Sequence, residues 1–273
     1  MKTTLPFWLF FCFSFTALSQ QKADTLFFEN FNGSSLNRTK WNVEINNHTD
    51  NNEQEAYVDS VGVLSVKNGL LTIIPLYKPG YNMNRQKTND FISGRINTRN
   101  KCEFVYGTVS ARMKIAAGAG LWPAFWILGK GKWPDAGEID IMETVGDSTW
   151  ASNAIHGPTY HGNTPLQSRN FFPKGTDVTG WHVYTVDIKP TILTFSIDGK
   201  ITYTVTKEMV EKYGNWVFDN NKYLLLNLAL GGGYPQGVNK ISKPYPGLPQ
   251  TTVDKIITGQ ANFVVDWVLV TKN

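Results

Sequence analysis

The chain has 273 residues, 18% of them charged, and a formal net charge of +4, a balance that leaves no strong electrostatic footprint for nucleic acid. Aromatic residues make up 13%, nine of them tryptophans, a surplus suited to clefts that face sugar rings. Of the two cysteines, Cys12 lies inside an N-terminal apolar run, so Cys102 has no intramolecular disulfide partner and a large core must supply the stability, with or without a metal.

Lys2, the apolar run Leu5–Leu18 and the small-residue site Ala17-Leu18-Ser19 form a secretory signal over residues 1–19. The run is too short for a membrane span, and Cys12 sits within it rather than after a cleavage pattern, which disfavours a lipid anchor. The expectation is a secreted or periplasmic monomer, free of the membrane after cleavage, with residues 20–273 as a single domain.

Strand signals dominate the remainder. Leu70–Ile74 follows the turn-like pair Asn68-Gly69, and Val109, Ala111, Met113 and Ile115 alternate with polar residues in a half-buried strand. Further strands are expected over Glu138–Thr144, Trp181–Ile188, Ile192–Ile197, Ile201–Val205, Tyr223–Leu228 and Phe263–Val270. Asp198-Gly199 supplies a hairpin turn. One helix is expected over Lys207–Tyr213, capped by Thr206 and closed by Gly214. Lys78–Asp90 and Gly231–Gly233 are expected as exposed loops. Many short strands with Gly, Pro and Asn punctuation indicate an all-β sandwich.

The densest chemistry lies in Gly137–Thr144, GEIDIMET. Alternate strand residues share a face, so Glu138 and Asp140 point one way and Ile139 and Ile141 the other. Strict alternation would bury Glu143, at a high cost for an unpaired carboxylate. One extra residue at Met142, as in a β-bulge, returns Glu143 to the acidic face. Three acids on one face suit glycoside hydrolysis, in which retention needs two carboxyls about 5–5.5 Å apart. Mutual repulsion then raises at least one pKa, making Glu143 the protonated acid and Glu138 the ionised nucleophile, with Asp140 sharing the proton load. A solvated sheet face and an incomplete cation cage are the other readings of the same acids.

This stretch resembles the signature of glycoside hydrolase family 16, and its inserted methionine is similar to the bulged form associated with laminarinases, the endo-acting β-1,3-glucanases. The resemblance continues through Phe28–Gly33, with Asn30 in place of the usual glutamate, Asn51–Gln54, Phe91–Arg95, Gly118–Leu128, Trp133-Pro134, Ala154–Gly162, Asn227–Gly233 and Val265–Val268. It implies a β-jelly-roll sandwich of two curved antiparallel sheets with an open substrate cleft on the concave face. It also implies catalysis by Glu138, Asp140 and Glu143, and sugar contacts from Asn52, Glu53, Arg95, Trp122, Trp126, Trp133, His156 and Asn227.

No cofactor is needed for the reaction. Glu29, Gly69 and Asp266 resemble a structural calcium site away from the chemistry, and carboxylate and carbonyl oxygens suit that ion. The pair His156 and His161 lacks an evident third metal ligand. The expected partner is a β-glucan polysaccharide, cut internally at β-1,3 bonds with mixed-linkage glucan tolerated. Agarase-, porphyranase- or carrageenase-type galactan hydrolysis, a non-catalytic sugar-binding jelly roll, and transglycosylation are the alternatives.

Overall fold

Apolar and polar side chains alternate without a break over Gly107–Ile115. Val109, Ala111, Met113 and Ile115 are buried, while Thr108, Ser110, Arg112 and Lys114 stay half-exposed. The same period recurs often enough that the chain folds almost entirely as strands. The computed structural model describes residues 24–47, 50–83 and 88–272; the expected signal segment lies outside them.

The first strands are β1 (Thr25–Glu29), β2 (Asn42–Val43), β3 (Glu55–Tyr57), β4 (Leu64–Lys67), β5 (Leu70–Ile73) and β6 (Leu76–Asn82). There follow β7 (Thr88–Ser93), β8 (Arg95–Asn97), β9 (Gly107–Ile115), β10 (Leu121–Gly129), β11 (Glu138–Glu143), β12 (Trp150–His156) and β13 (Gln167–Phe171). The chain continues through β14 (His182–Lys189), β15 (Ile192–Ile197), β16 (Lys200–Thr206), α1 (Lys207–Glu211) and β17 (Lys222–Leu230). It closes with α2 (Gly233–Asn239), α3 (Gln250–Ile257) and β18 (Phe263–Thr271).

One sheet has the order β16-β15-β14-β9-β18-β5-β4, with β1 also pairing with β18. The second runs β13-β12-β11-β10-β17-β8-β2, and a small third sheet runs β3-β7-β6. Pairing is antiparallel throughout except between β3 and β7. Phe125, Ile127, Ile139 and Leu226 from the second sheet meet Val109, Met113, Val186, Phe195 and Val268 from the first in one continuous core. Each such side chain, removed from water, contributes about 1.5–3 kcal/mol. The result is an all-β jelly-roll sandwich, and β11 lies inside its second sheet, flanked by β10 and β12.

Asp198 and Gly199 adopt φ of 50° and 78°, the left-handed pair that the β15–β16 hairpin requires. Thr206 caps α1 by accepting the Met209 N–H, although that helix ends at Glu211 and not at Tyr213. Two loop expectations are corrected. Within Lys78–Asp90, residues 78–82 and 88–90 belong to the paired antiparallel strands β6 and β7, with Asp90 Oδ1 accepting the Gly80 N–H and Oδ2 the Tyr245 hydroxyl. Gly231 and Gly232 are buried and only Gly233 is exposed, because the Asn51–Glu53 turn and Pro246 close over the two glycines. The sequence reading also lacked α3, whose Val253 and Ile256 are buried in the core.

Candidate active site

The register of β11 explains why three acids reach one face. Asp140 pairs with Ala154 and Glu143 with Ser152, so Ile141 and Met142 together oppose Asn153 alone. Against β10 the same shift takes Met142 to Phe125 and Asp140 to Trp126. This is a β-bulge of two residues against one. Ile139, Ile141 and Met142 are all buried in the core, whereas Glu138 and Glu143 remain half-exposed. Asn153 secures the bulge: its Nδ2 donates to Ile141 O at 2.7 Å, while its Oδ1 accepts from Asn170 and Thr202.

Each of the outer acids is held by an indole. Trp133 Nε1 donates to Glu138 Oε2 at 2.7 Å, and Trp122 Nε1 donates to Glu143 Oε1 at 2.7 Å. His156 Nε2 lies 3.1 Å from Asp140 Oδ2 and 3.9 Å from Glu138 Oε1. Burial pushes all three carboxyls above their usual range. Asp140 adds to the rise at Glu138, and Glu143 to the rise at Asp140. His156 and the Trp133 N–H oppose the rise at Glu138, and the Trp122 N–H and His156 oppose it at Glu143. Three acids so placed disfavour one another's ionisation, so each holds its proton more tightly than a free carboxyl does.

A second cluster forms where β8, β17 and the Asn51–Glu53 turn meet. Arg95 is ion-paired with Glu44 at 2.9 Å, and its guanidinium lies 4.8 Å from the Trp126 ring centroid and 5.8 Å from that of Tyr57. Trp126 Nε1 donates to Asn227 Oδ1 at 2.8 Å, and Asn227 Nδ2 donates to the Tyr57 oxygen at 3.2 Å. Glu53 is buried beside Tyr57, while Asn52 is exposed on the adjoining turn. Gly232 explains the seating of that turn. Its φ is +97°, and a Cβ there would stand 2.8 Å from Asn51 O and 3.2 Å from Glu53 N.

The structure therefore brings Glu138, Asp140, Glu143, Trp122, Trp133 and His156 into one site. Arg95, Trp126, Asn227 and Glu53 form its flank, with Asn52 at the rim. Sequence reasoning missed Glu44, Glu55, Tyr57, Asn153 and Tyr234. Tyr234 rises from α2 to pack edge-on against Trp122, with ring centroids 5.3 Å apart. The alternation Glu55, Tyr57 was a usable signal, since those two positions share a strand face. Asn153 carried none, because its role depends on the bulge opposite. His161 packs on the Trp133 ring and not with His156.

Among the described residues, Glu138, Asp140 and His156 are the one group of His, Cys, Asp and Glu side chains arranged to reach a shared ion, their ligand atoms lying within 4.8 Å of one another. For the calcium expectation, the register sets Glu29 opposite Val268 and Leu71 opposite Val265, which brings Glu29, Gly69 and Asp266 to the middle of β18, where β1 ends and β5 begins. Glu29 fits a cation: its Oε1 accepts the Asn30 and Phe31 N–H groups, and its buried Oε2 has no hydrogen-bond partner. Lys40 Nζ stands 3.6 Å from that oxygen. Asp266 already binds Arg112 through Oδ2, so the carboxylate share of the site falls mainly on Glu29.

The profile described as Glycosyl hydrolases family 16 matches residues 39–230. Glucan endo-1,3-beta-glucosidase A1 of Niallia circulans is 29% identical over 264 residues, which is 85% of this chain and 37% of that protein. This chain thus spans little more than a third of that relative's length. The endo-beta-1,3-glucanase of Pyrococcus furiosus is 33% identical with a TM-score of 0.79, covering 90% of this chain and 93% of that one. The laminarinase catalytic domain of Thermotoga maritima is 29% identical, also at a TM-score of 0.79, covering 92% and 98%. The family model spans well over half of the chain, and the jelly roll agrees with these structural likenesses: the chain belongs to glycosyl hydrolases family 16 and is a laminarinase-like glycoside hydrolase.

Proposed function

We propose that the protein is a secreted or periplasmic, retaining endo-glycosidase that hydrolyses internal β-1,3-glucosidic bonds of laminarin-type glucans. The observation that carries this reading is the pair Glu138 and Glu143, set on one face by the bulge and each held by a tryptophan N–H. Glu138 attacks the anomeric carbon while the glycosidic C–O bond breaks and Glu143 gives its proton to the departing oxygen. Glu143, now ionised, takes a proton from water, whose oxygen attacks the same carbon and releases Glu138 from the glycosyl ester. Asp140 lies between them within reach of His156 and buffers the charge on Glu138 as the ester forms and breaks.

Charge supports a neutral glucan over a sulfated galactan. Glu138, Asp140 and Glu143 line the site. The guanidinium on its flank, Arg95, is already paired with Glu44. A keratan-sulfate endo-1,4-beta-galactosidase of Sphingobacterium multivorum is 27% identical over 197 residues, so the galactan reading has a relative of its own. A beta-1,3-glucan-binding protein of Penaeus monodon, 30% identical over 213 residues, stands for the non-catalytic alternative. Retention of both glutamates favours catalysis here.

The test is reducing-sugar release from laminarin, mixed-linkage glucan, agar, porphyran and carrageenan. Laminarin is the expected best substrate, and Glu138→Gln and Glu143→Gln are expected to abolish release with folding intact. Faster release from any galactan, or an active Glu138→Gln enzyme, overturns the assignment.

A further inference from the structure

Glu55 and Tyr57 share one face of β3, and Glu53, in the turn just before that strand, reaches back to them, its Oε2 lying 3.5 Å from the Tyr57 hydroxyl. Both acids are buried, at 9% and 1% exposed. Glu55 Oε2 accepts the Leu230 N–H at 2.8 Å, but its Oε1 is buried with no hydrogen-bond partner. The contacts to Glu53 are long: Asn51 Nδ2 lies 3.4 Å from Oε1 and the Tyr57 hydroxyl 3.5 Å from Oε2. The charged groups that face the pair are Arg95 from β8, which Glu44 already occupies, and Glu143 from β11. Asn89 from β7 offers only its amide, which donates to the backbone at Gln54 and Glu55.

Two adjacent buried carboxylates without a cation of their own cannot both be charged. We propose that Glu53 and Glu55 hold one proton between them, so that Glu53 meets the sugar as a neutral carboxylic acid, with Glu55 as the residue that positions its proton. The O–H of Glu53 then points at the otherwise unpartnered Glu55 oxygen, and its other oxygen is left to accept from a sugar hydroxyl. Burial pushes Glu55 up as well, but the Leu230 N–H and the Tyr57 side chain oppose that rise, and we place the proton on Glu53, whose own contacts are long. Burial first, and the Glu55 charge second, push Glu53 up to about 9. A neutral Glu53 also spares Glu143 a nearby negative charge, since ionised Glu53 would raise Glu143 further.

This inference rests on the glucanase reading for the identity of the sugar but not for the shared proton, and the experiment separates the two. Carboxyl carbons of glutamate-labelled mature enzyme are titrated by carbon-13 NMR. The resonance missing from Glu53→Gln is expected to titrate near pH 9. In Glu55→Gln it is expected to fall by about one to three pH units, the size of effect that a close like charge exerts. In parallel, calorimetry follows binding of a β-1,3-linked glucose hexamer to the Glu138→Gln enzyme, with and without Glu55→Gln. Affinity is expected to weaken through the same pH at which Glu53 ionises, and at lower pH when Glu55→Gln is added. Titration of Glu53 near the ordinary 4.5, no response to Glu55→Gln, or affinity that ignores the ionisation overturns the proposal. If the titration behaves as expected but the hexamer fails to bind at any pH, the glucan reading falls and the shared proton stands.

Discussion

The Trp122 indole donates to Glu143 Oε1 at 2.7 Å, so the residue expected to stack a sugar also opposes the upward push of burial on the proposed general acid. Trp133 does the same for Glu138. Both N–H groups favour the ionised carboxylate and oppose the upward push of burial. On the proposed roles, Trp122 bears on the alkaline limb of the pH–rate profile and Trp133 on the acidic limb.

Trp122→Phe keeps the ring and removes the donor, so the pKa of Glu143 should rise. Activity is lost on the alkaline side when the acid deprotonates, so that limb should move upward. A hydrogen bond to a charged group contributes about 1.5–3 kcal/mol, equivalent to roughly one to two pH units. Trp133→Phe should instead move the acidic limb upward, because Glu138 must be ionised to attack. That shift should be smaller, since Trp133 is 45% exposed and water can replace the donor. Profiles of kcat/KM against pH for the two variants check both directions; movement of the same limb in both would contradict the role assignment.

Asn153→Ala leaves the Ile141 carbonyl at the bulge without its donor. A buried unsatisfied polar group costs about 1–3 kcal/mol, and in a domain of this size each kcal/mol lowers Tm by roughly 2–4 °C. Activity measured well below the new Tm should also fall, because the bulge is what presents Glu143. Thermal unfolding together with kcat at low temperature separates these effects; loss of stability with kcat unchanged would remove Asn153 from the site.

Gly232→Ala places a methyl 2.8 Å from Asn51 O at a φ of +97°. The Asn51–Glu53 turn must shift, and with it the flank of the cleft, while the catalytic row on β11 stays in place. KM for laminarin should rise several-fold, with kcat changing less. A fall confined to kcat would mean that the turn does not border the substrate.

Glu53 also links pH to stability. Its folded pKa, about 9, lies above the model-peptide value of 4.5, so the folded state binds that proton more tightly. The resulting stabilisation is complete below pH 4.5 and is lost as pH rises towards 9. Glu53→Gln should therefore reduce the alkaline decline in unfolding free energy, as measured by urea titration at several pH values. An unchanged pH dependence would argue that Glu53 is ionised in the folded protein.

The calcium site we propose centres on Glu29 Oε2, which has no hydrogen-bond partner and has Lys40 Nζ 3.6 Å away. Calcium should raise Tm, EDTA should reverse the rise, and Glu29→Gln should abolish it, all read by differential scanning fluorimetry with the chemistry unaffected. A Tm insensitive to calcium would leave Lys40 as the counter-charge of Glu29.

The sequence by itself determined the sandwich, because a period of two over Gly107–Ile115, β14 and β15 has only one way to bury its apolar face. It also determined the acidic row: Ile139, Ile141 and Met142 had to go inward, so the bulge followed from the cost of burying Glu143. Short-range signals failed where burial arises at a distance. Gly231 and Gly232 look like an exposed loop until Pro246 and the Asn51–Glu53 turn close over them, and the glycine at 232 is needed only because that turn arrives there. Only the tertiary structure decided the partners of the acids. Trp133 is five residues from Glu138, but Trp122 is 21 residues from Glu143, and the neighbours of Arg95 come from β3, β10 and the chain after β2. The acidity of a carboxyl is set by what lies within a few ångströms, and strand pairing, not chain order, delivers those groups.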